Sequence, residues 1–148
     1  MTPTPRFNAI SVLVADMSAS VEFYRHCGLT FSDDQFPDGI EKAMHVEAYI
    51  GEFRLMFDTH AVAKSFQPNW TPPSSPNEGV SLAFDCGSPA DVDRVFGVLV
   101  AAGAHTYLEP FDAFWGQRYA SVTDPDGNGV ELYAALPQDT SPSPDSPR

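Results

Sequence analysis

The chain has 148 residues, 43% of them hydrophobic, with a formal net charge of −12 and a pI near 4.4. That length fits one domain or two small fused modules with enough apolar content for a core. The acidity argues against nucleic acid as a partner, since a negative surface repels phosphate backbones; it favours a cationic small molecule or simply serves solubility.

Two cysteines, Cys27 and Cys86, form no CxxC pair, which fits a reducing compartment better than a disulfide framework. The opening MTPTPRF has no apolar run, so no secretory signal is expected, and no stretch approaches the ~20 apolar residues of a membrane span. The expected location is cytoplasmic, with no membrane and no nucleic-acid partner.

In chain order, Asn8–Val14 reads as a strand. A helix follows over Ser18–Cys27, with Val21, Tyr24 and Cys27 on one face and Gly28 as its left-handed cap. Strands are predicted over Leu29–Asp33, Ala43–Ile50 and Glu52–Asp58. From about His60 to Glu78 the chain carries Pro68, Pro72, Pro73 and Pro76, which suits neither helix nor strand, so a loop is expected. Val80–Cys86 is the next strand. Ser88-Pro89-Ala90-Asp91 then starts a helix, with Ser as N-cap and Pro at the first helical position. Val92, Val95, Phe96 and Leu99 mark its buried face, and Gly103 ends it. Strands follow near His105–Glu109, Arg118–Thr123 and Gly129–Ala134, with Asp124-Pro-Asp-Gly127 as a tight turn. The segment 137–148 (PQDTSPSPDSPR) reads as a disordered tail.

The order β-α-β-β-β thus occurs twice. Ala9–Val12 (AISV) aligns with Ser81–Phe84 (SLAF), and Arg54–Phe57 (RLMF) with Glu131–Ala134 (ELYA). The expected architecture is α+β: two βαβββ modules forming a curved mixed sheet around a cleft, with helices outside. One domain spans 1–136, with module 1 over about 6–59, a linker over about 60–78 and module 2 over about 79–136.

The run Val14–Leu29 (VADMSASVEFYRHCGL) resembles the first-module signature of the vicinal oxygen chelate superfamily (glyoxalase, bleomycin resistance, dioxygenase and fosfomycin resistance proteins). Trp115–Leu132 (WGQRYASVTDPDGNGVEL) resembles its second-module signature. The resemblance covers Phe7 to Leu136 and implies fold more than activity, because one fold hosts many chemistries. It implies metal-ligand positions at Ala9, Arg54, Ser81 and Glu131. Divalent metals need imidazole or carboxylate donors there; alanine has none, arginine is a fixed cation and serine is weak. The ligand set is therefore degenerate, and no metal or cofactor is expected.

Strand alternation puts Ala9, Ser11, Arg54, Ser81 and Glu131 on the cleft side. Glu131 then either pairs with Arg54 across the former metal centre or points to water. His45, Glu47 and Tyr49 share a strand face in phase with Arg54 and Met56, and are read as an acid–base group or a solvated face. His26 reads as a helix-surface residue, His105 as structural. Trp70 lies in the linker, and Phe111, Phe114 and Trp115 cluster in the loop before Arg118–Thr123. These aromatics either stack on a flat or cationic ligand or close a satellite core. With Tyr119 and Tyr133, they complete the candidate ligand-binding set. The resemblance to the bleomycin-resistance branch implies a metal-free homodimer sequestering a planar or cationic molecule such as an antibiotic. The alternative is a family enzyme with a noncanonical or metal-free site.

Overall fold

The computed structural model describes residues 5–73 and 80–138. The elements are β1 (Ala9–Val14), α1 (Met17–His26), β2 (His45–Ile50), β3 (Phe53–Thr59), α2 (His60–Phe66), β4 (Ser81–Asp85), α3 (Pro89–Ala101), β5 (His105–Ala113), β6 (Gln117–Thr123) and β7 (Gly129–Ala135). They build an α+β fold of two open mixed sheets, β1-β3-β2 and β4-β7-β6-β5. In each sheet the first strand of the module runs parallel to the last, and the other pairings are antiparallel.

Local chemistry sets the boundaries. Asp16 caps α1 by accepting from Ala19 N–H at 3.0 Å, and Ser88 caps α3 by accepting from Asp91 N–H at 3.2 Å. Gly28 closes α1 at φ +94°, where Leu29 N–H reaches back to the Tyr24 carbonyl at 3.0 Å; Gly103 repeats the device after α3. The β2–β3 hairpin turns on Gly51–Glu52, with glycine at φ +62° in the first central position.

Three sequence expectations are corrected. Leu29–Asp33 is not a strand. Phe31 is drawn into the core, stacking on Phe57 at 5.6 Å, and Asp33–Gln35 forms a short 3-10 turn. The outer edge of β2 is satisfied instead by one side chain: the Gln35 amide donates to the Glu47 carbonyl (2.9 Å) and accepts from its N–H (2.7 Å). His60–Phe66 is helical, capped by Thr59, because the helix-breaking prolines begin only at Pro68. Strand β5 continues past Pro110 to Ala113 through two irregularities in its pairing, so Phe111 lies on a strand. Proline is tolerated there because β5 is an edge. The predicted tail and linker fall partly outside the described residues, at 139–148 and 74–79.

One face of each sheet meets the helices. Val46, Ala48, Leu55 and Phe57 from module 1 share a continuous core with Val21 and Tyr24 of α1, Val92 and Leu99 of α3, and Val122, Val130 and Leu132 of module 2. The modules are also tied by polar groups. Tyr24 is fully buried, and its hydroxyl donates to Asp124 Oδ2 at 2.7 Å. Asp124 further accepts from Asp126 N–H, Asn128 N–H and Asn128 Nδ2 at 2.8–2.9 Å, so a buried carboxylate is held by four donors. Next to it, Asp126 Oδ1 accepts from Ala15 N–H at 2.9 Å.

Candidate functional site

The opposite faces of the sheets carry the polar and aromatic residues. Register places Ala9, Ser11 and Leu13 of β1 opposite Arg54, Met56 and Asp58 of β3, which stand opposite Tyr49, Glu47 and His45 of β2. In module 2, Glu131 lies opposite Ala83 and Ser121, and Tyr133 opposite Tyr119. Ser81 stands opposite Gly129, two residues from the Glu131 position and on the same face.

The expected Arg54–Glu131 pair does not form. Arg54 Nη1 donates to both Glu47 oxygens at 3.2 and 3.3 Å, and Glu131 accepts from the Tyr119 hydroxyl at 2.7 Å. Each group found a diagonal cross-strand neighbour within its own sheet. Burial, reinforced by Glu131, holds the Tyr119 phenol above its ordinary range, so it stays a donor. These four positions do not suit a divalent metal: one lacks a donor, one is a cation bound to a carboxylate, one is a neutral hydroxyl, and the last carboxylate already holds a phenol. Among the described residues, no group of three His, Cys, Asp or Glu side chains is arranged to hold a metal ion.

His45 sits at the centre of a polar chain. Its Nδ1 lies 2.6 Å from Asp58 Oδ1 and its Nε2 2.9 Å from Glu47 Oε1; Ser11 Oγ donates to Asp58 Oδ2 at 2.8 Å. With both ring nitrogens facing carboxylates, the imidazolium is the form that satisfies them. The bond to Glu47 raises the His45 pKa; burial opposes this and Asp58 adds to it. Reciprocally, the bond to His45 lowers the Glu47 carboxyl against its own burial, with help from Tyr49 and Arg54. The expected face of His45, Glu47, Tyr49, Arg54 and Met56 is thus brought together. Alternation puts Ser11 on the cleft side, but its bond to Asp58 and the parts played by Asp58 and Gln35 have no signature in the sequence pattern. The hairpin turn at Gly51–Glu52 carries the signal that pairs His45 with Asp58.

Phe111, Phe114, Trp115 and Tyr119 form a second group, in edge-to-face contacts at 5.1–6.2 Å. Phe114 is 98% exposed, and Trp115 Nε1 donates to Gln117 Oε1 at 2.8 Å. Trp70 is not part of it. Its ring lies 4.9 Å from that of His60, on the wall of a cavity of about 730 Å³ between the edge strands β1 and β4. Ser11, Leu82, Asp126 and Asn128 also line this cavity, while Ala9, Arg54, Ser81 and Glu131 do not. Of the predicted ligand-binding residues, only Trp70 is on its wall; Glu47 and Tyr49 border a separate hollow of about 460 Å³ with Gln35. Nothing in the sequence marks Asp126 and Asn128 as site residues, because DPDGN has the form of a turn.

The Glyoxalase/Bleomycin resistance protein/Dioxygenase superfamily model matches residues 6–132, and the chain belongs to that superfamily. The fold is similar to a glyoxalase/bleomycin resistance protein/dioxygenase family enzyme from Burkholderia phytofirmans PsJN (TM-score 0.73, 20% identity, 89% of this chain and 100% of that one). It is also similar to a glyoxalase-related enzyme from Fulvimarina pelagi (0.71, 20%, 88% of each chain) and to a hypothetical protein from S. aureus (0.71, 19%, 90% and 96%). At these identities the likeness establishes the fold alone. No curated protein matches the chain in sequence.

Proposed function

We propose that this chain is a metal-independent binding protein that sequesters a flat small organic molecule, in the manner of the resistance members of its superfamily. The observation that carries the reading is the state of the four metal-equivalent positions. Ala9 and Ser81 offer no strong donor, Arg54 is a cation engaged with Glu47, and Glu131 holds the Tyr119 hydroxyl. A cavity of about 730 Å³ lies within the size range of small-molecule sites and is walled in part by an indole ring. The protein acts in the cytoplasm as a homodimer, and the exposed Phe114 and Trp115 supply apolar surface for a ligand or a second copy.

Thermal shift of the purified protein against planar antibiotics, run in chelator and again with added zinc or manganese, tests this. Stabilisation by a planar compound that is indifferent to the metal supports binding, since the shift grows with ligand over its dissociation constant. Stabilisation by metal alone, lost in Glu131→Gln, contradicts it. A second reading, metal-free acid–base catalysis, is favoured by one observation: His45 held between Glu47 and Asp58. Turnover of an α-keto or epoxide substrate that is lost in His45→Gln identifies that case.

A further inference from the structure

We propose that the cavity between β1 and β4 is the ligand site, and that it takes a flat ring system bearing one protonated nitrogen, with Asp126 as counter-ion and Trp70 as stacking surface. The inference rests on the binding reading above and names the ligand class and its place.

Among the described lining residues of the cavity, Asp126 is the one carboxylate and His60 the one basic side chain. The chain as a whole carries −12, which draws cations towards it from a distance. Asp126 Oδ1 is occupied by Ala15 N–H at 2.9 Å, whereas among the described residues Oδ2 has only a contact of 3.4 Å from Ser20 Oγ, at the weak end of hydrogen bonding. Asn128 directs its Nδ2 to Asp124, and its amide oxygen accepts no hydrogen bond from the described residues. Ser11 donates its hydroxyl to Asp58. Asp126 and Asn128 line the cavity and, among the described residues, keep acceptor capacity, with the Ser11 donor already committed. An ammonium or protonated heterocycle complements that arrangement; a carboxylate ligand does not.

Trp70 is placed by the bond from its backbone N–H to the Gln67 carbonyl at 2.8 Å and by the contact of its ring with His60, and Pro72 and Pro73 extend the apolar wall. A flat cation against this ring gains both area and quadrupole attraction. Burial pushes the Asp126 carboxyl above its ordinary range, with Asp124 adding to the shift, while Ala15 N–H, Ser20 and His60 oppose it; a cation seated beside it would favour the ionised form.

The test is calorimetric titration of the full chain with three probes on one ring: 2-naphthylmethylammonium, 2-naphthylmethanol and 2-naphthoate. The ammonium is expected to bind at least about tenfold more tightly than the alcohol, and the carboxylate not to bind, since a charge-assisted bond is worth that much. Asp126→Asn is expected to bring ammonium and alcohol to within about threefold of each other while leaving the alcohol's affinity in place, and Trp70→Ala to weaken both. The wild-type preference, and movement of the Trp70 indole N–H resonance on saturation, need no variant to fold. Equal binding of ammonium and alcohol by the wild type, or a preference that survives Asp126→Asn, overturns the proposal. If the preference survives there but is lost in Glu47→Gln or Glu131→Gln, the ligand sits on the sheet face, which overturns this inference and leaves the binding reading standing. Absence of any binding by these probes or by the planar antibiotics overturns both.

Discussion

Replacing Tyr24 with phenylalanine removes one oxygen from the place where the two modules are bolted together. Tyr24 is 0% and Asp124 5% exposed, and their bond of 2.7 Å spans 100 positions of sequence. Tyr24→Phe leaves the ring contacts with Phe57 and Phe23 in place, so no appreciable cavity opens. The carboxylate keeps its three donors from Asp126 and Asn128 but loses the one from the other module. A hydrogen bond to a charged acceptor contributes about 1.5–3 kcal/mol, and water cannot readily replace the hydroxyl in a buried site. Against a total stability of about 5–15 kcal/mol that is a large fraction. The assay is urea unfolding at pH 7, followed by tryptophan fluorescence and far-ultraviolet dichroism, with hydrogen exchange at Ala15 N–H as a local probe. The expected result is a lower midpoint at unchanged slope and faster exchange at Ala15. A loss below about 0.5 kcal/mol would refute the assignment of this bond as a stabilising polar tie between modules, because it would lie outside the range for a bond to a charged acceptor.

Other consequences are equally direct. Leu99→Ala, at a fully buried position of α3, should cost about 2–5 kcal/mol by the same urea assay. Gln35→Ala removes both bonds to the Glu47 backbone and should accelerate hydrogen exchange at Glu47 N–H while leaving the Phe57 amide protected. His45 has its pKa raised above the ordinary value of about 6.5, so its contribution to stability is complete below that pH and is lost as pH rises through the folded-state value. The fall in stability above pH 6.5 should therefore flatten in His45→Gln, as read from thermal melts across a pH series. The Asp126 carboxyl is also raised by burial, so its ionised form disfavours the fold at neutral pH. Asp126→Asn should melt at the wild-type temperature or above it at pH 7, and the difference should shrink as pH falls to the ordinary carboxylate range; a lower melting temperature would mean that its bonds to Ala15 and Ser20 outweigh the burial.

Legibility in the sequence followed the range of the interactions. The helix start at Ser88 and the stops at Gly28 and Gly103 depend on residues within a few positions and are readable directly, whereas the Asp16 cap lies two residues ahead of the expected start at Ser18. Strand phase was readable too: the alternation that set His45, Glu47 and Tyr49 beside Arg54 needs only a period of two. Partner choice was not. The symmetry between modules offers Glu131 to Arg54 as one of two alternatives, but a guanidinium reaches the nearest carboxylate across the adjacent strand, and Glu47 is there. Leu29–Asp33 had the composition of a strand, yet the pull of Phe31 into the core and the substitute edge made by Gln35 are tertiary effects. Asp124–Gly127 reads as a turn from the sequence, while the roles of Asp124, Asp126 and Asn128 as module tie and cavity wall arise only once the modules are folded together.

On the proposed function, this member of the superfamily binds a ligand without a metal. Titration of 2-naphthylmethylammonium into the chelator-treated chain, repeated with zinc and with manganese present, tests this in one experiment. Saturable binding with one dissociation constant in all three conditions is the expected result. Binding that appears only when a divalent ion is added, and disappears again in Glu131→Gln, would contradict it.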